Sequence, residues 1–498
     1  MTNALRSAPV RGSRRVLRVV ARTATATALV ISATVVGFSF SSDEGGRTVA
    51  ALENATIGAG GEYHALTPAR VLDTRDPNLD VAPGGRKPTA TVGADATFDV
   101  PIVGRGGLPQ FVDSNGDCAD DNVLAVAVNV TVVGPSGDGW MQAFGKGANA
   151  GTSSLINFKP NEVVPNTALL RPGCGGQLTL RLYTGAVAAS ADVVIDVFGW
   201  ISSSSYSQRG ARLQPAGPGR IFDSREAPFG AAPFTGGQQR FVPIRGAASV
   251  TPPIANIVPD SGNAVGVLVN VTAVDNLPGS QPTYISLLPS PLAEGQLPTT
   301  SNLNLRVGQI RSNLAIVPIS ADGGIWVYNH AGDAHVVLDV MGYFVANQDV
   351  NTTRGRVIPL VSPFRAFDTR EAAFADQPLP PANAEDWSFR DFANDVKVAG
   401  SPVGPQLGLI GNLTAAALGR QYEWAAAASY VTAYPTPSGG GAQTPPFVSN
   451  LGIAEGEIVP NLVMLAYGSD GTDPYQVRFY NRAGYLDYLL DVTAVILA

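Results

Sequence analysis

The chain has 498 residues, of which 45% are hydrophobic and 15% are charged, with 55 Gly, 38 Pro and 2 Cys. The formal net charge is −7, and residues 51–498 alone, with 26 basic and 38 acidic residues, have a charge of −12. An acidic chain of this kind is not a general nucleic-acid binder, and its Gly and Pro content predicts many turns and few long helices.

The amino-terminal 50 residues predict export. Residues 1–22 contain six Arg and no acidic residue, and residues 23–42 are uncharged and mostly apolar. This order is typical of a signal peptide, with cleavage near Ala50. The alternative is an uncleaved membrane anchor, because 20 residues are about the span of a bilayer. We therefore expect a secreted or cell-surface protein, with membrane contact only if this segment is retained.

The rest of the chain is a threefold repeat. An Arg-x-x-Asp-x-Arg motif returns after 150 and then 145 residues. Units of this length are domain-sized, and each can bury its own core. We predict repeats at 62–202, 212–346 and 357–498, joined by short polar segments that keep neighbouring repeats in or near contact. The motif residues are Arg70, Asp73 and Arg75; Arg220, Asp223 and Arg225; and Arg365, Asp368 and Arg370.

Each repeat next contains a strand pattern with a period of two. In residues 123–133, Val126, Val128 and Val130 share one face, and Asn129 and Thr131 share the other. An aromatic-led strand, a segment that ends in Asn and a closing hairpin with a late Asp follow in the same order. These recurrent positions are Asn129, Asn270 and Asn412; Trp140, Tyr284 and Tyr430; Asn166, Asn313 and Asn461; and Asp196, Asp339 and Asp491.

These patterns predict an all-β protein. Val-rich and Ile-rich runs bounded by Gly, Pro, Asn and Ser are typical of strands, and residues 329–332 and 481–484 have the composition of hairpin turns. The one helix-like stretch, 412–428, contains a strand that recurs in the other repeats. We therefore predict three tandem antiparallel β-sandwich domains of jelly-roll type after the signal segment.

The recurrent charged residues predict an ion network in each repeat. Asp196, Asp339 and Asp491 lie in apolar strands, and a buried carboxylate needs a partner. The motif arginines are the candidates, because a guanidinium can hold a carboxylate through two hydrogen bonds. In a regular strand Asp73 and Arg75 share a face and Arg70 points away. A ligand-binding site is the alternative interpretation.

The Asn-Val-Thr triplets match the N-glycosylation sequon, as Asn129-Val-Thr, Asn270-Val-Thr and the related Asn412-Leu-Thr. All three lie inside predicted strands, where a bulky surface modification is out of place. We prefer the interpretation that these Asn side chains satisfy bulged or neighbouring backbone groups.

Repeat 1 alone contains cysteines and a dense acidic loop. Cys118 and Cys174 predict one disulfide in an exported chain. Alternating oxygen ligands suit calcium, although the loop is not an EF-hand; the alternative is a solvated loop tied by the disulfide. No other cofactor is predicted. The candidate calcium ligands are Asp113, Asn115, Asp117, Asp120 and Asp121.

The sequence offers no constellation for catalysis. His64, His330 and His335 are the only histidines, and none recurs in all repeats. No nucleophile elbow, Walker loop, His-Glu-x-x-His or Cys-x-x-Cys motif occurs. Two carboxylates could still meet in space, as glycosidases require. The recurrent acids are better explained by the ion network, so we expect a protein that is not an enzyme.

The repeat resembles one found in secreted actinobacterial proteins. The resemblance is carried by Pro-x-Arg-x-x-Asp-Thr-Arg, Asn-Val-Thr, residues 300–304, Tyr328-Asn329 and the segment 339–344, Asp-Val-Met-Gly-Tyr-Phe. It covers residues 62–498, and repeat 3 departs from it at residues 493–495. In that family the repeat occurs in tandem or beside wall hydrolases and other exported domains. The resemblance implies an extracellular or cell-surface β domain and no catalytic residues.

Three hypotheses follow for function. The first is a non-catalytic secreted or cell-surface structural or adhesion protein, with its repeats in a stalk or a pseudo-threefold cluster. The second is a carbohydrate- or cell-wall-binding array in which Trp140 and Tyr284 stack on sugars, although their recurrence at one strand position fits core packing better. The third is a hydrolase with a carboxylate pair. The candidate partners are the cell envelope, an extracellular polysaccharide or further copies of the chain.

Overall fold

The structure is a computed structural model. It describes residues 13–15, 60–76, 89–90, 95–184, 189–274, 277–374, 377–398, 401–419, 424–439 and 444–498. The segment predicted to direct export lies outside these residues, apart from the strand β1, Ser13–Arg15. No helix among the described residues is long and apolar enough to cross a membrane.

Within the described residues, repeats 1, 2 and 3 each contribute ten strands. Repeat 1 contains β2 Tyr63–Asp73, β3 Thr89–Ala90, β4 Asp95–Pro101, β5 Val123–Val133, β6 Gly139–Gly145, β7 Ile156–Phe158, β8 Val163–Leu170, β9 Gln177–Thr184, β10 Ala189–Ser190 and β11 Asp192–Ser202. Repeat 2 contains β12 Arg212–Asp223, β13 Gln239–Pro243, β14 Ser249–Val250, β15 Pro253–Ile254, β16 Ala264–Val274, β17 Thr283–Leu288, β18 Leu303–Leu305, β19 Ile310–Pro318, β20 Gly324–Asn329 and β21 His335–Val345.

Repeat 3 has the same order with one added helix. Its strands are β22 Val357–Asp368, β23 Asn383–Ser388, β24 Lys397–Val398, β25 Ser401–Pro402, β26 Gln406–Ala416, β27 Ser429–Pro435, β28 Leu451–Ile453, β29 Ile458–Ala466, β30 Gln476–Asn481 and β31 Asp487–Leu497. The helix α1 is Arg390–Asp395, and single 3₁₀ turns occur at Cys174–Gly176, Ala227–Phe229 and Ala372–Phe374.

Each repeat forms two four-stranded antiparallel sheets. In repeat 1 the strand orders are β2-β11-β5-β8 and β4-β9-β6-β7, and repeats 2 and 3 have the equivalent orders. β1 adds to the edge of β23 in parallel. The all-β prediction is confirmed, and the helix-like stretch after residue 412 begins inside the strand β26, as expected.

The long central strands are buried on both faces. In β5, Val126, Val128 and Val130 enter the core between the two sheets of repeat 1. On the opposite face, Ala125 and Ala127 join a core that includes residues of all three repeats. The small side chains on that face let neighbouring repeats approach closely.

The six four-stranded sheets form a six-blade, propeller-like arrangement. The prediction of three tandem sandwich domains is wrong, because the repeats do not follow one another as separate bodies. The strands β8, β19 and β29, one from each repeat, contact one another around a common pseudo-threefold axis. One continuous core contains Leu169, Leu314 and Leu465 from these three strands.

The segments that join the repeats are built into this arrangement. The amides of Tyr63 and Ala211 each donate to the carbonyl of the other, at 2.8 Å. The Leu213 amide donates to the Gly355 carbonyl at 2.8 Å, and the Gly61 amide donates to the Val357 carbonyl at 2.8 Å. The beginnings of the three repeats are therefore hydrogen-bonded to one another.

Candidate functional site

The recurrent charged residues of repeat 2 form one buried cluster. Arg220 donates from Nε to Asp339 Oδ1 at 2.9 Å and from Nη2 to Oδ2 at 3.3 Å. Its Nη1 also donates to Asp223 Oδ2 at 3.2 Å. Arg225 holds the same Asp223 carboxylate from outside, with Nη2 to Oδ2 at 2.6 Å. Two arginines and two aspartates thus tie β12 to β21.

The same cluster is present in the other repeats. In repeat 1 the Nε of Arg70 lies 2.9 Å from Asp196 and its Nη1 lies 3.3 Å from Asp73, which also binds Arg75 at 2.7 Å. In repeat 3 the Arg365–Asp491, Arg365–Asp368 and Arg370–Asp368 distances are 2.6, 2.8 and 2.6 Å.

A strand irregularity places both aspartates within reach of one arginine. Arg70 pairs with Asp196 and Leu72 pairs with Ile195, so Val71 is an extra residue in the register. The expectation that Arg70 points away from Asp73 assumed a regular strand and is wrong. The bulge brings Arg70 and Asp73 to the same side. Repeats 2 and 3 show the same shift between Arg220 and Phe222 and between Arg365 and Phe367.

The carboxylates of the three clusters are all buried, but their pKa values are shifted in two directions. Asp339 is fully buried, and its burial raises the pKa of the carboxyl against the opposing effect of Arg220. Burial likewise raises the pKa values of Asp196 and Asp491. The pKa of Asp223 is lowered, because hydrogen bonds from Arg225 outweigh the effect of its burial. The late aspartate of each repeat is therefore the group that most needs its arginine.

The clusters also reach into the next repeat. Arg70 Nη2 donates to the Thr299 carbonyl of repeat 2 at 3.2 Å. Asp339 of repeat 2 accepts a hydrogen bond from the Ser449 amide of repeat 3 at 3.2 Å. Arg365 of repeat 3 donates to the Thr152 carbonyl of repeat 1 at 3.2 Å. The contacts run from repeat 1 to 2, from 2 to 3 and from 3 back to 1.

The sequon asparagines follow the same cyclic order. Asn129 Nδ2 donates to the Ser301 carbonyl at 2.9 Å, and Asn270 Nδ2 donates to the Ser449 carbonyl at 2.6 Å. Asn412 Nδ2 donates to the Ser154 carbonyl at 2.8 Å. These side chains do satisfy backbone groups, but the groups belong to the neighbouring repeat.

A second set of asparagines completes the axis. Asn313 Oδ1 accepts from the Thr167 amide at 3.2 Å, and its Nδ2 donates to Asn129 Oδ1 at 3.3 Å. In the same way, Asn461 Oδ1 accepts from the Leu314 amide of repeat 2 at 3.0 Å, and Asn166 Oδ1 accepts from the Leu462 amide of repeat 3 at 3.2 Å. Sequence reasoning noticed the recurrence of these residues and missed their role. One signal in the sequence could have revealed that role. The strands that carry these asparagines have one apolar face for the core of their own repeat and polar residues on the other face.

The axis also contains an ionic group that breaks the symmetry. Arg311 of repeat 2 donates to both carboxylate oxygens of Glu457 in repeat 3, at 2.8 and 3.0 Å. Arg306 donates to Glu162 of repeat 1 at 2.5 Å. Arg311 contacts a carboxylate that repeat 2 itself does not supply, so the three repeats are not interchangeable.

Three clefts lie where the repeats meet. Cleft 1 is formed by Trp140 of repeat 1 and residues 456–460 of repeat 3, with a volume of about 360 Å³. Cleft 2 is formed by Tyr284 and residues 161–164 of repeat 1, with about 430 Å³. Cleft 3 is formed by Tyr430 and residues 308–311 of repeat 2, with about 480 Å³. The clefts occupy equivalent positions around the axis.

A half-buried aromatic ring lines each cleft. Trp140 stacks on Tyr183 with ring centroids 4.9 Å apart, and Tyr284 stacks on His330 at 4.4 Å. Tyr430 lies against Tyr480 at 6.3 Å. Core packing describes only part of their environment: Tyr430 packs against a small buried cluster that includes Tyr434 and Tyr480, and each of the three rings also borders its cleft.

The clefts differ in charge. Cleft 3 is lined by Arg220, Arg225, Arg311 and Arg482 with a single carboxylate, Glu457. Cleft 1 is lined by two cations and three carboxylates: Lys159, Arg311, Asp138, Glu162 and Glu457. One pseudo-symmetric surface therefore offers chemically different sites.

The disulfide predicted in repeat 1 is confirmed. Cys118 and Cys174 are bonded, with Cα atoms 4.6 Å apart. The acidic loop beside it uses its carboxylates locally: Asp113 accepts from the Gly116 and Cys118 amides, and Asp120 accepts from the Val112, Asn122 and Val123 amides.

Calcium ligation is not favoured by this loop. Asp121 accepts from the Ser114 amide, and Asn115 and Asp117 cap neighbouring amides. No group of three or more His, Cys, Asp or Glu residues is arranged to hold a metal ion in the part of the chain that the structure describes. The calcium hypothesis required Asp113, Asn115, Asp117, Asp120 and Asp121 to converge, but their oxygens point to loop amides instead.

A Ser–His contact in repeat 2 has a structural explanation. Ser224 Oγ lies 2.9 Å from His335 Nδ1, and Ser224 is fully buried. The equivalent pairs in the other repeats are Thr74–Asp192 at 3.0 Å and Thr369–Asp487 at 2.9 Å. A hydroxyl paired with either His or Asp at the same position is a strand-end hydrogen bond, and a buried hydroxyl offers no access to substrate.

No family model and no curated protein matches this chain. Solved structures that share some similarity include the CBM22-1–CBM22-2 tandem domain of Paenibacillus barcinonensis Xyn10C, at 12% identity and TM-score 0.15, covering 57% of this chain and 99% of that one. A chain in the atomic structure of Sulfolobus Turreted Icosahedral Virus has 10% identity and TM-score 0.15, and the match covers 87% of this chain and 91% of that chain. TM-scores this low do not establish a common fold.

Proposed function

We propose that this chain is a non-catalytic structural or adhesion protein of the cell surface or extracellular space. The observation that supports the proposal is the use of its recurrent polar residues. The arginine–aspartate clusters tie strands together, and the asparagines tie each repeat to the next. The polar groups kept in three copies thus have structural partners in every copy, which supports a structural role.

The proposed location is supported by two features. The Cys118–Cys174 disulfide favours an oxidising compartment. The amino-terminal order of a basic segment before an apolar segment is typical of exported proteins. The partners that we propose are the cell envelope, an extracellular polysaccharide or further copies of the chain.

The structural proposal is tested by incubating the purified chain with cell-wall fractions and polysaccharides. We expect no release of reducing sugar or peptide from any fraction. Release that persists through purification at constant specific activity would contradict the proposal and favour the hydrolase hypothesis.

Carbohydrate binding is the second candidate function, and the three interface clefts favour it. Each cleft combines a half-buried aromatic ring with polar side chains from another repeat. Concave sites with an aromatic wall and a few polar groups are typical of small-ligand recognition. A ring of Trp or Tyr can lie against the apolar face of a sugar.

This candidate is tested on a glycan and cell-wall array, with and without calcium. If the clefts bind sugars, Trp140→Ala, Tyr284→Ala or Tyr430→Ala weakens binding to at least one glycan by about tenfold. Trp326→Ala is the matched control, because Trp326 packs on Phe241 outside the clefts. Absence of retention on every glycan at low salt would rule out this candidate and leave the structural proposal standing.

A further inference from the structure

The beginnings of the three repeats meet in a polar junction. We name as the basic junction the side chains of Glu62, His64, Arg209, Arg212, Gln214 and Arg356. The first two belong to repeat 1, and the others lie at or just before the starts of repeats 2 and 3. Backbone hydrogen bonds between Tyr63 and Ala211 and between Leu213 and Gly355 hold these segments together.

Three arginines surround one carboxylate in the basic junction. Arg209 Nη2 lies 3.1 Å from Glu62 Oε1, Arg212 Nε lies 3.0 Å from it, and Arg356 Nη2 lies 3.8 Å from it. The Gly210 amide donates to the other carboxylate oxygen at 2.9 Å. The six side chains therefore have an excess of two positive charges over Glu62, with His64 neutral.

Arg212 and Arg356 carry their part of this charge inside the protein, whereas the Arg209 side chain is 44% exposed. The Arg212 side chain is 1% exposed and that of Arg356 is 15% exposed. Burial, followed by the proximity of Arg212, lowers the pKa of Arg356, and Glu62 offsets this shift only in part. A buried positive charge without a matching anion is costly in free energy.

Several donors of the junction lack an acceptor. Within the described residues, Arg212 Nη2 and Arg356 Nε are buried without a hydrogen-bond partner, as are Gln214 Nε2 and His64 Nε2. Buried donors are nearly always paired in folded proteins, because an unpaired one loses its hydration without compensation. The unpaired N–H groups of Arg212, Gln214 and Arg356, joined by a His64 Nε2 that donates in one of its two tautomers, indicate that an acceptor belongs there.

Gly355 shows how closely these groups approach. A Cβ atom at Gly355 would lie 2.6 Å from Gln214 Nε2 and 3.0 Å from the Cβ of Arg212, and the residue has a φ of +79°. Only glycine fits this conformation without strain. A Cβ at Gly210 would lie 2.9 Å from His64 Nε2. The two glycines therefore let the main chain pack closely against Gln214 Nε2 and His64 Nε2.

We propose that the basic junction binds a small inorganic oxyanion, phosphate or sulfate. The anion accepts the free N–H groups of Arg212 and Arg356 and offsets the excess positive charge. Guanidinium groups and oxyanions form charge-assisted hydrogen bonds of matched geometry. Because the junction joins the starts of all three repeats, the bound anion stabilises the closed arrangement of the ring.

The test is thermal unfolding of the purified chain against increasing phosphate or sulfate, with sodium gluconate holding the ionic strength constant. We expect a saturable rise in Tm of about 2 °C or more, because a ligand that binds only the folded state stabilises it. Chloride is the comparison anion and is expected to give a smaller shift. No shift with any anion, or an equal shift with chloride, overturns the proposal.

Variants locate the effect. Arg212→Met and Arg356→Met keep most of the side-chain volume and remove the free donors, so each is expected to lose the phosphate-dependent rise in Tm. Arg390→Met is the matched control, because Arg390 is 45% exposed and pairs with Asp473 far from the junction in the chain. If Arg212→Met fails to fold, the test depends on Arg356→Met alone. A rise in Tm with phosphate as large as in the unchanged protein would then contradict an anion site at the basic junction.

Discussion

At the scale of single residues, the molecule separates two kinds of carboxylate that its sequence presents alike. Both carboxylates are buried, but Asp223 is shared by the half-exposed Arg225 and by Arg220, whereas Asp339 depends on Arg220. Loss of the exposed Arg225 leaves Asp223 paired with Arg220, but removing one partner of a fully buried pair leaves an uncompensated charge. The two positions should therefore respond differently to substitution.

We expect Asp339→Ala to lower the free energy of unfolding by about 3–5 kcal/mol, because Arg220 would remain buried without its main partner. Arg225→Ala is the control from the same cluster. Its side chain is 42% exposed, so its loss is expected to cost about 1 kcal/mol or less. Urea denaturation followed by tryptophan fluorescence measures both. Equal losses in the two variants would show that Asp339 has no special structural role.

At the scale of strands, the alternating pattern of β5, β16 and β26 predicted which face enters the core of each repeat. It could not predict what covers the other face. Burial of that face depends on residues about 170 positions away, as in the contact from Asn129 to Ser301. Period-two patterns contain no such long-range information. The bulge at Val71 was equally hidden, because no special residue marks it in the sequence.

The axial asparagines allow a prediction at this scale. Asn313→Ala would leave the Thr167 amide of β8 without its acceptor inside the protein. We expect the free energy of unfolding to fall by about 2 kcal/mol, the cost of an unpaired buried polar group. Asn461→Ala should give a similar loss, since it removes the acceptor of the Leu314 amide.

Asn351→Ala is the control for both asparagine variants, because Asn351 is exposed and bonds only within its turn to Asp349. Denaturant titrations of the three variants are directly comparable. If the control loses as much stability as Asn313→Ala, the axial hydrogen bonds do not hold the repeats together.

At the scale of the whole molecule, repetition in the sequence predicted three similar units but not their closure. A stalk and a closed cluster use the same strands and the same ion clusters. The cyclic contacts decide between them, because Arg365 of repeat 3 returns to Thr152 of repeat 1. The Arg311–Glu457 pair then fixes which repeat occupies which position, through charges that lie 146 residues apart.

Closure has a thermodynamic consequence. Repeats that share one continuous core cannot unfold independently, because loss of one repeat exposes apolar surface and unpaired polar groups on the other two. We therefore expect a single cooperative transition in scanning calorimetry, with a calorimetric enthalpy close to the van't Hoff enthalpy. Three independent domains on a string would instead give a ratio of calorimetric to van't Hoff enthalpy near three. A resolved sequence of transitions, or such a ratio, would mean that the axial contacts are weaker than their number and burial imply.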